Sequence, residues 1–108
     1  MVLSLSLLPV WGQAASFDCQ KARLSTEKQI CAVRSLNDAD VKLATTYRIV
    51  LKAVPMGTRG AEQETQVQWL QQRNRCGSNS ACIAKMYQNR QVHLDNIIQC
   101  RVLSQGAF

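Results

Sequence analysis

The apolar positions of this chain form one run at the N-terminus and, after it, recur in steps of three and four residues. Residues 2–10 are apolar apart from two serines. Further on, Val41, Ala44, Tyr47, Leu51 and Val54 recur at the spacing of one face of an amphipathic helix. Asn37 is placed to cap the start of that helix, with Asp38 and Asp40 in a first turn where the helix dipole favours carboxylates. Pro55 ends it. A shorter helix is expected over residues 26–34, with Thr26 and Gln29 in capping-box register. Pro55, Gly57 and Gly60 mark residues 55–60 as a connecting loop. A third helix then opens with Glu62 and Glu64 and closes with Arg73 and Arg75, an order that suits the dipole. Its apolar content is thin: Val67, Trp69 and Leu70. Gly77-Ser78-Asn79-Ser80 reads as a turn. The last helix, over about residues 81–103, carries Ile83, Tyr87, Arg90, Leu94, Ile97 and Arg101 in register. No alternating strand pattern, internal repeat or low-complexity tract interrupts this order. The expected fold is all-α, a small antiparallel bundle of three to four helices joined by short connections.

The N-terminal run changes the picture by suggesting export. It is far shorter than the ~20 residues that span a bilayer, and Pro9 sits within it. Gly12-Gln13-Ala14-Ala15 follows with small residues at the spacing signal peptidase requires. Residues 1–15 are therefore expected to be a signal peptide and residues 16–108 the mature domain, periplasmic or secreted. No Lys or Arg precedes Lys21, so the basic start of a leader is missing, and the simplest account is that the chain begins inside a longer one. The alternative is a short apolar arm packed on the domain. No cysteine follows the run directly, which argues against a lipid anchor there.

Export gives the cysteines their meaning. The 108 residues contain five of them, and a domain this small gains from covalent fastening. Cys76 closes the third helix and Cys82 opens the fourth, so a helical hairpin brings them to disulfide distance. Cys19 and Cys31 bracket the entry segment and the first helix. Pairing within each couple closes the shortest loops, worth about 2 and about 3 kcal/mol by the chain-entropy argument, although the residues alone allow other connectivities. Cys100 is left over, as a buried thiol, an intermolecular disulfide giving a covalent dimer, or a member of a different pairing. Monomer and dimer both stay open. A zinc site is disfavoured, with no Cys-x-x-Cys and a single histidine.

The net charge of +6 is carried wholly by the domain after residue 15. Outside the cell membrane it points to acidic partners such as wall polymers, anionic lipid head groups or acidic protein faces. Nucleic acid fits poorly, since the charges form no dense run and no aromatics are interleaved with them. No catalytic pattern emerges. His93 sits on the flank of the last helix with no nucleophile in readable register. Capping accounts for Asp38/Asp40 and for Glu62/Glu64, and there is no glycine-rich phosphate loop or nucleophile elbow. Trp69, Tyr87 and Tyr47 are expected in the core. No cofactor is implied. Arg59, between Gly57 and Gly60 in the expected loop, is the residue best placed to enter an anionic cleft.

Two segments together carry a family resemblance. The first is Phe17-Asp18-Cys19, Lys21, Ala22, Glu27, Ile30-Cys31, Leu36, Asp40, Leu43 and Tyr47-Arg48. The second is Trp69-Leu70, Arg73, Cys76-Gly77, Cys82-Ile83, Tyr87, Arg90 and Leu94. Over residues 17–98 the chain resembles the LprI-type N-terminal domain, a bacterial envelope domain first named for a mycobacterial lysozyme-inhibiting lipoprotein. The resemblance implies a helical envelope domain in which Cys19 pairs with Cys31 and Cys76 with Cys82. It also implies a non-enzymatic activity: inhibition of lysozyme or another muramidase by protein–protein binding. The absence of a lipoprotein cysteine points to an unanchored form. The competing expectations are a module that binds anionic envelope polymers and an immunity protein that recognises a neighbouring toxin.

Overall fold

The computed structural model describes residues 15–102. The expected leader, apart from Ala15, and the last residue of the expected final helix lie outside them. Four α-helices follow one another: α1 (Ser25–Ala32), α2 (Arg34–Ala53), α3 (Met56–Asn74) and α4 (Ser80–Ile97). A 3-10 turn at Cys19–Lys21 precedes them and a π-helical turn at Ile98–Val102 closes them. No strand occurs among the described residues, so the all-α expectation holds. The three long helices run up, down and up. Asp40 meets Tyr87 and Thr46 meets Gln91, which sets α2 and α4 parallel. Arg73 meets Tyr87 while Glu62 meets Arg90, which sets α3 antiparallel to α4. The short α1 lies across the end where α3 turns into α4. There the Thr26 hydroxyl reaches Asn74 O and Gly77 O (3.2 and 2.7 Å), and Gln29 Nε2 donates to Ser80 Oγ.

The core is Ile30, Leu36, Leu43, Val50, Val54, Trp69, Ile83, Tyr87, Leu94 and Ile97. In α4 the expected register is the observed one: Ile83, Tyr87, Arg90, Leu94 and Ile97 are all buried, while Arg101 is exposed. In α2 the buried face is Leu36, Asn37, Asp40, Leu43 and Val50. That face is rotated from the expected one, and Val41 is exposed. The cause is Asn37 and Asp40. Neither caps the helix, which begins at Arg34 after the extended Val33; both are polar residues on the inward face, where an apolar pattern cannot register them.

Helix starts supply the other corrections. Thr26 is not a cap. Instead Glu27 Oε1 accepts from the N–H groups of Arg23 and Leu24, the two residues that lead into α1. Residues 56–60 are not a loop, because α3 begins at Met56 directly after Pro55. The connection from α2 is only Val54-Pro55. Arg59 therefore lies in the first turn of a helix, half-buried, with Nε donating to Leu51 O (2.8 Å). That carbonyl belongs to the last turn of α2 and has no intrahelical partner, so Arg59 caps α2 across the corner. Its expected role as a loop residue aimed at a cleft loses its premise. Glu62 and Glu64 fall in the second and third turns of α3 and do not cap it, and Val67 is exposed. Asn79, read as part of a turn, caps α4 by accepting from Cys82 N–H (3.0 Å).

Both disulfides form, Cys19–Cys31 and Cys76–Cys82, with Cα separations of 5.9 and 5.6 Å. Gly77, within the second loop, has φ +59°. The tight α3–α4 turn requires that left-handed conformation, and glycine adopts it without penalty. Cys100 is exposed rather than buried; it lies beyond the last buried residue of α4, Ile97, in the closing π-helical turn.

Candidate functional site

Three of the polar residues of the resemblance converge in the interior, while Asp18, Lys21 and Arg48 stay exposed. Asp40 on α2, Arg73 on α3 and Tyr87 on α4 are each about 4% exposed or less. The Tyr87 hydroxyl donates to Asp40 Oδ1 (2.6 Å) and accepts from Arg73 Nη1 (3.0 Å). Asp40 Oδ2 accepts from the Ser16 backbone N–H (2.6 Å), which ties the entry segment to the bundle. Arg73 also donates from Nε and Nη2 to its neighbour Asn74 Oδ1. Trp69 meets Tyr87 edge to face, with ring centroids 4.9 Å apart, and lies beneath the Arg73 guanidinium at 5.8 Å. Its indole N–H donates to Met86 O (3.1 Å). Three helices are thus locked by one bridging phenol.

Burial pushes the Tyr87 hydroxyl far above its ordinary range, and the negative charge of Asp40 pushes it further. Arg73 opposes this more weakly. The phenol stays neutral at any physiological pH and serves as a fixed proton donor to Asp40. Tyr47 is also raised by burial, against the lowering effect of Arg90.

A second cluster lies further along α3 and α4. The buried Arg90 donates from Nε to Gln66 Oε1 (3.0 Å) and from Nη2 to Glu62 Oε1 (3.3 Å). His93 Nε2 lies 3.6 Å from Glu62 Oε2 and is more than half exposed. The histidine is thus at the surface, as its flank position suggested, while Glu62 is an ion-pair partner and not a cap. Sequence reasoning missed that role. Its signal was there: an arginine, Arg90, in the apolar register of α4 needs an acid to face it, and α3 supplies Glu62.

Both networks are internally satisfied. Every buried side-chain nitrogen and oxygen among the described residues has a hydrogen-bond partner. No group of three or more His, Cys, Asp or Glu among them could hold a metal ion. These polar residues hold helices together and present nothing to a partner, so any binding surface lies elsewhere. The structure brings Cys19 to Cys31 and Cys76 to Cys82 around α1 and the α3–α4 turn, away from the corner of α2 and α3. At that corner Arg48, Leu51, Lys52 and Arg59 line an open depression of about 420 Å³. Beside it Ala53, Val54, Pro55, Thr58 and Arg101 line another of about 550 Å³. Between Asp40 and Glu62 the chain has no carboxylate, and three of the cations in that stretch, Arg48, Lys52 and Arg59, line the first depression. The corner is therefore strongly basic.

Comparison of the chain with protein-family models, curated proteins and solved structures finds no match. Two disulfides indicate a non-reducing setting. Among the described residues no helix is long and apolar enough to cross a membrane.

Proposed function

We propose that this is an exported, periplasmic or secreted bacterial domain that inhibits lysozyme-type wall hydrolases by binding them. The observation that supports this reading is the way the resemblance residues assemble. Asp40, Trp69, Arg73, Tyr87 and Arg90 form hydrogen-bonded links between helices, and the four matching cysteines close two disulfides. Such a framework is preorganised, and a rigid binder loses little further entropy when it docks. The net charge of +6 repels the strongly basic lysozymes of animals at long range, so inhibition there depends on short-range fit. A less basic bacterial muramidase suits the domain better.

The test is clearing of a wall suspension by lysozyme, with and without the oxidised domain, beside a polycation of matched charge. Loss of clearing at near-stoichiometric domain, abolished by reduction and not copied by the polycation, is the expected result. Full clearing by both an animal and a bacterial muramidase overturns the reading. The basic corner favours a second reading, a module that engages anionic components of the envelope. Binding of that kind weakens as salt rises, whereas a filled cleft keeps most of its affinity.

A further inference from the structure

We infer that the corner of α2 and α3 is a docking surface for an anionic lipid bilayer. The inference rests on the second reading, that of an envelope-binding module, and names its surface and partner. Three observations carry it. First, the two depressions that meet at the corner are lined by Arg48, Lys52, Arg59 and Arg101 without a single carboxylate. Second, the cations are held on helices: Arg48 and Lys52 lie one turn apart on α2, and Arg59 is pinned through Nε to Leu51 O. Third, the corner carries exposed apolar side chains among these charges. Met56, the first residue of α3, is 77% exposed, and Ile49, next to Arg48 in sequence on the outer side of α2, is 51% exposed.

The third observation selects the partner. A soluble polyanion offers nothing to Met56 and Ile49, whereas a bilayer offers phosphates to the cations and an acyl boundary to the apolar side chains just below them. Met56 is unbranched and adaptable, a shape suited to insertion between head groups. Each cation near an anionic membrane surface strengthens binding by roughly five-fold, so four of them give a weak, reversible, salt-sensitive attachment. The opposite end of the bundle, closed by disulfides, would then face away from the membrane.

The experiment is co-sedimentation of the full oxidised chain with vesicles of phosphatidylglycerol and phosphatidylcholine, against phosphatidylcholine alone. Selective binding to the anionic vesicles is expected. Arg48→Glu/Lys52→Glu should weaken it by at least roughly 25-fold, and Met56→Ser by roughly five- to ten-fold. Arg75→Glu/Lys85→Glu makes the same charge change at the other end and should leave most of the binding. Unchanged helical circular dichroism in each variant confirms that folding is intact.

Three results overturn the inference. One is equal loss in the two charge-reversed pairs, which would mean net charge alone is read. Another is Met56→Ser binding as tightly as the parent while soluble polyphosphate displaces the domain completely, which would make the partner a polyanion. The third is no preference for anionic vesicles. Muramidase inhibition is scored separately on the same preparations, so a domain that inhibits yet ignores vesicles refutes this surface and leaves the first reading standing.

Discussion

The two ends of the bundle are built on opposite plans. At one end, α1 and the α3–α4 turn are fastened by two disulfides, by Thr26 on Asn74 O and Gly77 O, and by Gln29 on Ser80. At the other, α2 passes into α3 through Val54-Pro55, with Arg59 on Leu51 O as the side-chain bond across the junction. The first end concentrates covalent and polar fixation; the second concentrates like charge and exposed apolar side chains. Mutual repulsion among clustered cations opposes folding. A domain of this size tolerates that burden when its order is secured elsewhere. Covalent fixation and clustered like charge are therefore separated along the bundle axis, with the Asp40–Tyr87–Arg73 bridge between them.

The sharpest way to break this division is to remove the bridge. Asp40→Ala leaves the Tyr87 hydroxyl and the Ser16 N–H without their charged acceptor, and should cost about 2–5 kcal/mol in urea unfolding. Both ends should then loosen together. The same bridge sets an alkaline limit. Because the Tyr87 phenol is raised in the folded state above its ordinary value of 10.0, the unfolded chain loses that proton first. The contribution is fully present below pH 10.0 and is lost as pH rises beyond it. Tyrosinate absorbance should consequently show Tyr87 ionising only along with unfolding, and stability should fall as pH rises from about 10 upward.

Opening the disulfides should act on one end alone. Replacing Cys19 and Cys31 by serine is expected to cost about 3 kcal/mol, and replacing Cys76 and Cys82 about 2 kcal/mol, as their loop lengths predict. Amide exchange should rise in α1 and the α3–α4 turn. The second half of α2 should change little, and an equal rise there would show that the ends are not independent.

What was legible in the sequence divides along similar lines. The helices, the α3–α4 turn and the inward register of α4 are local patterns that apolar spacing and turn residues announce. The inward face of α2 was not readable in that way, since Asn37 and Asp40 occupy it. A polar residue is buried only when distant residues satisfy it, and Asp40 finds its partner 47 positions away in Tyr87. Residues 56–60 were misread because Gly57 and Gly60 look like loop residues. In place they are exposed helical positions with open space where a side chain would begin, so they weaken α3 by roughly 1 kcal/mol each without ending it. The basic corner was visible only as an acid-free stretch, since Arg101 joins it through the tertiary fold.

The smaller predictions test the basic end directly. Arg59→Ala removes a charge-assisted bond to an otherwise unpaired helix-end carbonyl, and should cost about 1–2 kcal/mol in unfolding, with faster amide exchange at the junction of α2 and α3. Lys52→Glu should do much less. Its side chain is exposed, and surface substitutions of this kind stay within about 0.5 kcal/mol of neutral. Lys52 stands one turn from Arg48 and in the last turn of α2, so an acid at 52 exchanges repulsion for attraction but loses a favourable contact with the helix dipole. The two effects nearly cancel, and the domain should keep its stability even as the substitution weakens any hold on an anionic surface. A measurable loss of stability would mean that Lys52 supports the fold. The basic end could then no longer be regarded as a surface whose charge opposes stability and is retained for binding.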